Sequence, residues 1–552
     1  ALTGGSTLLG QVIETVSVKS DSVANTLDDL QTTGVGATKL VTTGAKQLTI
    51  TAALDSEIVT IDASGMTGLS GLALGAAPAT AVGITATGSG GKDTIYGSAG
   101  KDNISSGGGN DTINLGTLAV TDTVDGGDGT DTVVATATVS NDSVFGGLSN
   151  VEVLSLSGAI NATLTATTGT FDTVKDDGSS DNTITIDTSY GASAITVDIT
   201  GDANAADTIT NSSAATLTVV AGTADLNGAS NTTITASATN LGDTLSLQPD
   251  GDGDLGANGG NNQITGFDKI TFNDAATGNT ATTLDLGDYA TALTIDASAL
   301  DATDATINIG GANVSKSMTY TGSAGVDNFT GGGTVGDNIS TGAGNDIIAG
   351  TAGNNTIDAG AGVDTISLGT GKDHVSAGAG NDIITGAAQV KADDTIDGGD
   401  GTDTLTHTGA IAYSTILGGL SNVEVLAPQG AIAVTLQTPV AGLEKISLAE
   451  SGNQVVTFAA GYTGAMTVDL SGDSTNNTDS VINTGNIDLT VTGYGLDFDA
   501  DTTITGGTGT DTITMTNTAD FSAILTNVTG VETITVVDYT LNANANITTG
   551  AN

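Results

Sequence analysis

The chain has 552 residues and a formal charge of −51, from 62 acidic and 11 basic residues. This charge excludes binding to the phosphate backbone of nucleic acids as a main activity, because nucleic-acid-binding proteins need a basic face. It also opposes adsorption to an anionic lipid surface without bridging cations. Cysteine is absent, so a cross-link other than a disulfide is expected. No apolar run approaches the length of a transmembrane segment.

The first 87 residues are predicted to form strands joined by polar turns. Apolar and polar residues alternate in QLTITAAL from Gln47 and in EIVTIDAS from Glu57, which is the period of a half-buried strand. No signal peptide of basic and apolar residues opens the chain. We therefore expect that an N-terminal part is missing or has been removed by processing.

A glycine-rich pattern with a period of nine residues begins at Gly88 and extends to residue 134. Its units read GSGGKDTIY, GSAGKDNIS and SGGGNDTIN, followed by an irregular unit and by GGDGTDTVV. Each unit has glycines in its first places, an acid at the sixth and an apolar residue at the eighth. The sixth-place acids are Asp93, Asp102, Asp111, Asp122 and Asp131.

The same pattern returns in a longer block over residues 322–406, with nine units. Asp337 follows a ten-residue unit, Asp394 follows a twelve-residue unit, and Asn355 replaces an acid, so these places depart from the regular pattern. A single further unit, near residues 506–514, carries Asp511. The residues of the long block that align with the sixth place, called sixth-place residues below, are Asp327, Asp337, Asp346, Asn355, Asp364, Asp373, Asp382, Asp394 and Asp403.

Elementary physical chemistry predicts what these units build. Glycines allow a tight turn, and the β-forming residues at places seven to nine form a short strand. Two units complete one circuit, so units eighteen residues apart stack about 4.8 Å apart. The acids then form two rows, one with Asp346, Asp364 and Asp382 and the other with Asp337, Asn355 and Asp373. Two carboxylates about 5 Å apart repel by roughly 3 kcal/mol at an effective dielectric constant near 20.

A cation between stacked acids would make each row favourable. The rows offer hard oxygen ligands without histidine or cysteine, which favours calcium over zinc or copper. The predicted cofactor is therefore Ca²⁺, with all fifteen sixth-place residues as candidate ligands.

The chain also repeats itself on a larger scale. TIDAS at Thr60 recurs at Thr294, and FGGLSNVEVL from Phe145 recurs as LGGLSNVEVL from Leu417. The second block has four more units than the first, as expected for a solenoid in which each unit contacts only its neighbours. We expect the strand containing NVE to cap each array.

These patterns predict an all-β fold with parallel β-roll or β-helix solenoid segments and flanking β domains, tandemly duplicated. The predicted segments are an N-terminal β segment (1–87), a first calcium-binding β-roll (88–134), a β domain (135–276), a β segment (277–321), a second, longer β-roll (322–406), and a β domain with one further repeat (407–552).

The nonapeptide units resemble the hemolysin-type calcium-binding repeats of RTX proteins, which bacteria export by type I secretion. The wider layout is similar to bacterial surface-layer (S-layer) proteins of the Caulobacter kind: long stretches rich in Thr, Ala, Gly and Asn, few aromatics, no cysteine and strong acidity. The resemblance implies that each repeat acid donates a carboxylate oxygen to calcium and that turn carbonyls complete the shell. It also implies a location at the cell surface, self-assembly into a two-dimensional lattice, and an anchor to a surface glycan or lipopolysaccharide through a region outside this chain.

The sequence leaves three functions open: a structural S-layer subunit, a secreted adhesin or surface-binding module, and a spacer from a secreted enzyme. An enzymatic role for this chain is not expected. It lacks an H-E-x-x-H zinc motif and a G-x-S-x-G nucleophile elbow, and without cysteine it has no thiol nucleophile. Its two histidines are His374, at a variable repeat place, and His407.

Overall fold

The structure of the protein is a computed structural model. It describes residues 6–7, 13–31, 36–78, 82–116, 118–136, 142–166, 171–178, 181–200, 206–223, 226, 232–237, 242–249, 253–255, 263–273, 282–286, 292–302, 306–311, 314–387, 390–408, 417–430, 432–448, 452–471, 478–495, 497–516, 522–537 and 546–549.

The chain divides into two compact units, each a parallel β-solenoid. Unit one contains Ala1–Asn273 and Tyr289–Thr291, and unit two contains Asp274–Asp288 and Ala292–Asn552. Within each unit the neighbouring strands of every ladder are parallel, as a solenoid requires. The prediction of an all-β, parallel solenoid is thus confirmed. In the described part of the chain, no helix has the length and apolar character needed to cross a membrane.

Unit one has three main ladders of stacked strands, which we name A, B and C. Ladder A contains Thr15–Lys19, Lys39–Gly44, Thr60–Met66, Thr85–Ser89, Asn103–Gly107, Thr123–Asp125 and Leu148–Ser149. Ladder B contains Asn25–Leu27, Leu48–Ile50, Ser70–Leu74, Lys92–Tyr96, Thr112–Gly116, Thr132–Ala135, Val153–Leu156, Thr173–Asp176, Ala194–Asp198, Thr216–Gly222, Thr244–Gln248 and Lys269–Phe272. Ladder C contains Asn161–Leu164, Thr183–Ile186, Thr208–Asn211, Thr233–Thr235 and Gln263–Thr265. The remaining elements are strands Ser6–Thr7, Leu30–Gln31 and Gly253–Leu255 and the 3-10 segment Asp142–Gly147.

Unit two repeats this plan in ladders D, E and F. Ladder D contains Thr282–Leu286, Ile307–Gly310, Asp327–Thr330, Ile347–Ala349, Thr365–Ser367, Ile383–Ala387, Thr404–Thr408, Val425–Gln429, Lys445–Ser447, Met466–Asp469, Leu489–Tyr494, Thr512–Thr516 and Thr533–Val537. Ladder E contains Leu293–Asp296, Met318–Thr321, Asn338–Ala343, Thr356–Ala361, His374–Ala379, Thr395–Asp400 and Leu420–Ser421. Ladder F contains Ala433–Leu436, Val455–Phe458, Ser480–Asn483, Thr503–Thr505 and Val528–Thr529. Strands Ser522–Leu525 and Asn546–Thr549 pair separately, and Leu417–Gly419 is a 3-10 segment.

The aliphatic side chains at the eighth place of the units point into the coils and stack into columns that run through successive coils. In the second roll Ile348, Ile366 and Ile384 stack along ladder D, each completely buried. Ile357 and Val375 stack along ladder E in the same way. Burying such side chains is the main apolar contribution to each coil, at about 25 cal/mol per Å² removed from water.

Ladders B and D continue without a break from the repeats into the segments that flank them. In the second roll Thr356 pairs with His374 eighteen residues later, whereas in ladder C Thr183 pairs with Thr208, twenty-five residues later. The flanking coils are therefore longer but wind in the same way. The segment boundaries predicted from the sequence remain predictions.

The large-scale duplication has a backbone signature. Asn150 and Asn422, in the two copies of the LSNVE segment, have φ of 50° and 49° and are the described non-glycine residues with positive φ. Each donates its side-chain amide to an aspartate one coil back, Asp125 Oδ1 or Asp397 Oδ1, over 2.7 Å. Asparagine tolerates this left-handed conformation better than most residues. The chain therefore leaves the roll with the same backbone conformation in both copies of the LSNVE segment.

Candidate metal centre

The structure stacks the sixth-place residues into four rows, two in each unit. The rows are Asp93–Asp111–Asp131, Asp102–Asp122, Asp327–Asp346–Asp364–Asp382–Asp403 and Asp337–Asn355–Asp373–Asp394. In each row the backbone N–H of one residue donates to Oδ1 of the residue one coil later, over 2.8–3.0 Å. Asp511 stands apart from these rows, as its isolated unit predicts. Except for Asp327, whose carboxylate accepts hydrogen bonds from Tyr320 and Ser323, the side chain of each row residue therefore links two successive coils.

All fifteen sixth-place residues are almost completely inaccessible to solvent, with at most 3% of each residue exposed. Burial raises the pKa of Asp111 and of Asp364 to about 6, because it disfavours the charged form. The carboxylates of the adjacent coils, Asp346 and Asp382, raise the pKa of Asp364 further. Burial also raises the pKa of Asp382 and Asp403. The rows therefore combine desolvation with like-charge repulsion.

The basic side chains of the described residues form no ion pair with these rows, and the charge of Lys391 offsets only part of the rise that burial causes in the pKa of Asp373. The ion pairs in this part of the chain join lysines to Asp21, Asp62, Asp177 and Asp469, and none involves a sixth-place acid. Buried charges without partners are expensive, so the rows call for positive charge from another source.

The decisive observation concerns the second carboxylate oxygen. In seven of the fifteen residues Oδ2 is buried and accepts no hydrogen bond. The hydroxyls of Ser106 and Thr341 lie near enough to lower the pKa of Asp111 and Asp346, yet they donate to the carbonyl oxygens of Gly126 and Ala359. The seven residues are Asp111, Asp131, Asp346, Asp364, Asp373, Asp382 and Asp403.

These unpaired oxygens fit a hard cation. Among the described residues, no group of three or more His, Cys, Asp or Glu side chains is arranged to hold a metal ion. Each row instead offers one carboxylate per coil, so a cation would take its other ligands from backbone carbonyls. Calcium accepts such mixed sets of carboxylate and carbonyl oxygens, whereas zinc and copper sites use nitrogen and sulfur ligands. Ligation by the fifteen individual residues stays a prediction.

Glycine is required where the turns of adjacent coils approach each other. A Cβ on Gly362 would collide with the carbonyl oxygen of Gly344, and a Cβ on Gly380 would collide with that of Gly362. The N–H of Gly362 also donates to the Ala379 carbonyl in the next coil over 2.8 Å. The glycine-rich half of the unit thus permits the close stacking that brings the carboxylates into rows.

The expectation that the NVE strands cap the arrays was wrong for the stack of strands, because ladders B and D continue past them: Val153 pairs with Thr173, and Val425 pairs with Lys445. Only the rows of acids end at these segments, and sequence reasoning missed the residues that end them. Glu152 Oε2 accepts the N–H of Asp131 and Glu424 Oε2 accepts that of Asp403, each over 2.8 Å. Glu532 does the same for Asp511, over 2.7 Å. These are the glutamates of the NVE segments and of the related GVE segment. Their position before the strand, where the next unit would place its aspartate, is the signal that could have revealed this role.

Sequence reasoning also missed that the side-chain ladder continues outside the repeats. The N–H of Asn182 donates to Asp207 Oδ1 over 2.9 Å, and that of Gln454 donates to Asp479 Oδ1 over 2.8 Å. Each polar residue directly precedes a strand of ladder C or F. The flanking coils thus have the same hydrogen bond between a backbone N–H and a side chain of the next coil as the rolls do, although they lack the glycine-rich turns.

Comparison with known proteins agrees with this geometry. The family model described as RTX calcium-binding nonapeptide repeat, in four copies, matches residues 85–117, 121–137, 331–366, 340–375, 360–389 and 391–408. The chain carries RTX calcium-binding repeats. These matches cover roughly a quarter of its length and imply that the protein binds calcium. They fall in both rolls but leave out the units of Asp327 and Asp511. A search of the curated proteins found no match.

Proposed function

We propose that this protein is a secreted structural subunit that folds when it binds calcium and then assembles into a two-dimensional layer at the bacterial surface. The observation that carries the calcium part is the set of seven buried carboxylate oxygens without a hydrogen-bond donor, stacked along the RTX repeats. The assembly part rests on the composition and layout that the chain shares with S-layer proteins. An anchor to a surface glycan or lipopolysaccharide, through a region outside this chain, belongs to the same proposal.

Calcium can supply a large part of the folding free energy. Extracellular calcium modules have dissociation constants of about 10⁻⁴–10⁻³ M. At about ten times that concentration one site adds roughly 1.4 kcal/mol, and seven independent sites would add roughly 10 kcal/mol. That is comparable with the whole stability of an ordinary domain. The chain would therefore stay loosely folded where calcium is scarce and become compact after export.

Charge gives a second reason for calcium to control assembly. Two copies that each carry a formal charge of −51 repel each other at long range. The outer faces of the rolls add exposed acids such as Asp358 and Asp400. Divalent ions would screen or bridge these groups, so lateral contacts between copies should form only when calcium is present.

One observation favours an adhesin as the second candidate. Four apolar side chains of the second roll lie at, or within two residues before, the start of a ladder D strand and are each at least 39% exposed: Val326, Ile347, Val363 and Ile383. Exposed apolar groups near one another often mark binding surfaces. An adhesin would use such a face for a ligand on another surface, whereas a layer subunit would cover it with a neighbouring copy.

Electron microscopy of the purified chain before and after addition of millimolar calcium separates the two functions. Ordered sheets that appear with calcium and disperse with chelator support the structural layer. Particles that remain monomeric in calcium and bind cells or glycan arrays contradict it and support the adhesin.

A further inference from the structure

The fifteen repeat turns fall into two classes that differ in one hydrogen bond. In the seven turns named above, Oδ2 of the sixth-place residue has no partner; we call these open turns. In seven others Oδ2 accepts a backbone N–H from its own turn, and we call these closed turns. The closed turns are those of Asp93, Asp102, Asp122, Asp327, Asp337, Asp394 and Asp511. The fifteenth turn has the amide Asn355.

In eleven of these fourteen turns the residue at the second place of the unit accounts for the class. In five closed turns its N–H donates to the sixth-place carboxylate over 2.7–2.9 Å; these residues are Ser89, Ser98, Ser323, Gly332 and Gly507. The three serines add their hydroxyl to the same carboxylate. In the other two closed turns, those of Asp122 and Asp394, Ala119 and Lys391 supply the N–H instead, three residues before the acid.

In six of the seven open turns the second place is a glycine with φ between 93° and 110°. These glycines are Gly107, Gly127, Gly342, Gly360, Gly378 and Gly399. Residues with a Cβ rarely adopt this conformation. The change in the sign of φ rotates the preceding peptide group, so that its N–H no longer meets the carboxylate. Gly369, in the open turn of Asp373, has no positive φ and is the one exception.

We propose that only the open turns bind calcium, and that the presence or absence of a backbone N–H bonded to Oδ2 within the turn decides which repeats are calcium sites. The closed turns replace the cation with N–H and hydroxyl donors and stack without metal. This inference rests on the proposed calcium-driven folding. Of the fifteen residues predicted from the sequence as calcium ligands, only seven would then bind calcium. The first two turns of each roll are closed, at Asp93 and Asp102 in the first roll and at Asp327 and Asp337 in the second.

Two variants at equivalent places of one row test this inference. Asp364 lies in an open turn and Asp327 in a closed one; both are completely buried, and both accept a hydrogen bond on Oδ1. The substitutions Asp364→Asn and Asp327→Asn each remove one charge and keep an acceptor oxygen. The readout is the number of calcium ions per full-length chain that survive passage over a chelating resin, measured by atomic emission. Circular dichroism in saturating calcium checks that both variants are folded.

We expect Asp364→Asn to lose at least one tightly bound ion and Asp327→Asn to keep the count of the unmodified chain. Equal losses in the two variants, no loss in Asp364→Asn, or a loss in Asp327→Asn would overturn the inference. If Asp364→Asn fails to fold, the unmodified chain still decides, because at most seven tight ions are expected and a larger count contradicts the open-turn rule. An unmodified chain that retains no calcium would instead refute the proposed function itself.

Discussion

The close stacking of the turns predicts a large difference between two glycine-to-alanine substitutions in unit two. Gly378 and Gly464 have nearly the same backbone conformation, with φ of 110° and 109°. A Cβ on Gly378 would collide with the backbone carbonyl of Gly360 in the coil before it, whereas a Cβ on Gly464 would meet nothing within 4 Å. Comparing the two variants therefore separates the loss of stability caused by positive φ from the loss caused by the collision with the neighbouring coil.

Both substitutions force a residue with a Cβ to adopt positive φ, at a cost of about 1–2 kcal/mol. Both also recover about 0.4–1 kcal/mol, because alanine restricts the unfolded chain. Gly464→Ala should thus lower the free energy of unfolding by about 1 kcal/mol. Gly378→Ala must also push two coils apart, for a further 1–3 kcal/mol or so, and we expect a total loss of about 2–4 kcal/mol.

Urea unfolding of the full chain in excess calcium, followed by circular dichroism, measures this difference. Both residues belong to unit two, so their effects should appear in the same transition. An equal loss in the two variants would show that glycine is needed only for its φ and would refute the argument from close stacking.

Three further predictions concern the core, the end of a row and the effect of pH. Ile384→Ala should lower the free energy of unfolding by about 2–5 kcal/mol in the same assay, because Ile384 is fully buried. Its neighbour Ile383 is 45% exposed, so Ile383→Ala should lower it by well under about 1 kcal/mol. Similar losses in the two variants would contradict the assignment of Ile384 to the inner face of the strand and Ile383 to the outer face. Glu424→Ala should lower the free energy of unfolding by about 1–3 kcal/mol, because it leaves the Asp403 N–H without its acceptor. Glu424→Gln keeps an acceptor oxygen and should lower it less. The reverse order would contradict the role of Glu424 as the residue that ends the row. Burial raises the pKa of Asp364 from 3.8 to about 6, so the calcium-free fold gains stability when this group is protonated and loses it as pH rises from about 3.8 to about 6. Calcium-stripped protein should therefore show more β signal at pH 5 than at pH 7, and the opposite order would contradict the burial of ionised carboxylates in the rows.

The sequence predicted those features that depend on a regular period. A spacing of eighteen residues between Asp364 and Asp382 was sufficient to predict the coil and the rows, because strand stacking fixes which residues become neighbours. The flanking coils escaped this reasoning, because the steps between paired residues along ladder C are 22, 25, 25 and 30 residues. The solenoid in these segments therefore has no simple repeat in the sequence.

The sequence could not show which carboxylates already have donors. Asp327 and Asp364 occupy the same place of the unit, and their different surroundings depend on the backbone at Ser323 and Gly360. A serine at the second place was visible in the sequence, but its meaning depends on where the N–H points. The role of Glu424 was hidden for a similar reason, since the glutamate replaces an aspartate only after the chain has left the nine-residue period.

Calcium removal from the unmodified chain tests the central claim most directly. Circular dichroism and small-angle X-ray scattering should be recorded during a calcium titration of protein that has been exhaustively dialysed against EGTA. If cations hold the acid rows together, the stripped chain will be expanded with little β signal, and calcium will restore both compaction and β structure over the same concentration range. A stripped chain that has the same radius of gyration and the same spectrum as the calcium-loaded one would contradict the claim.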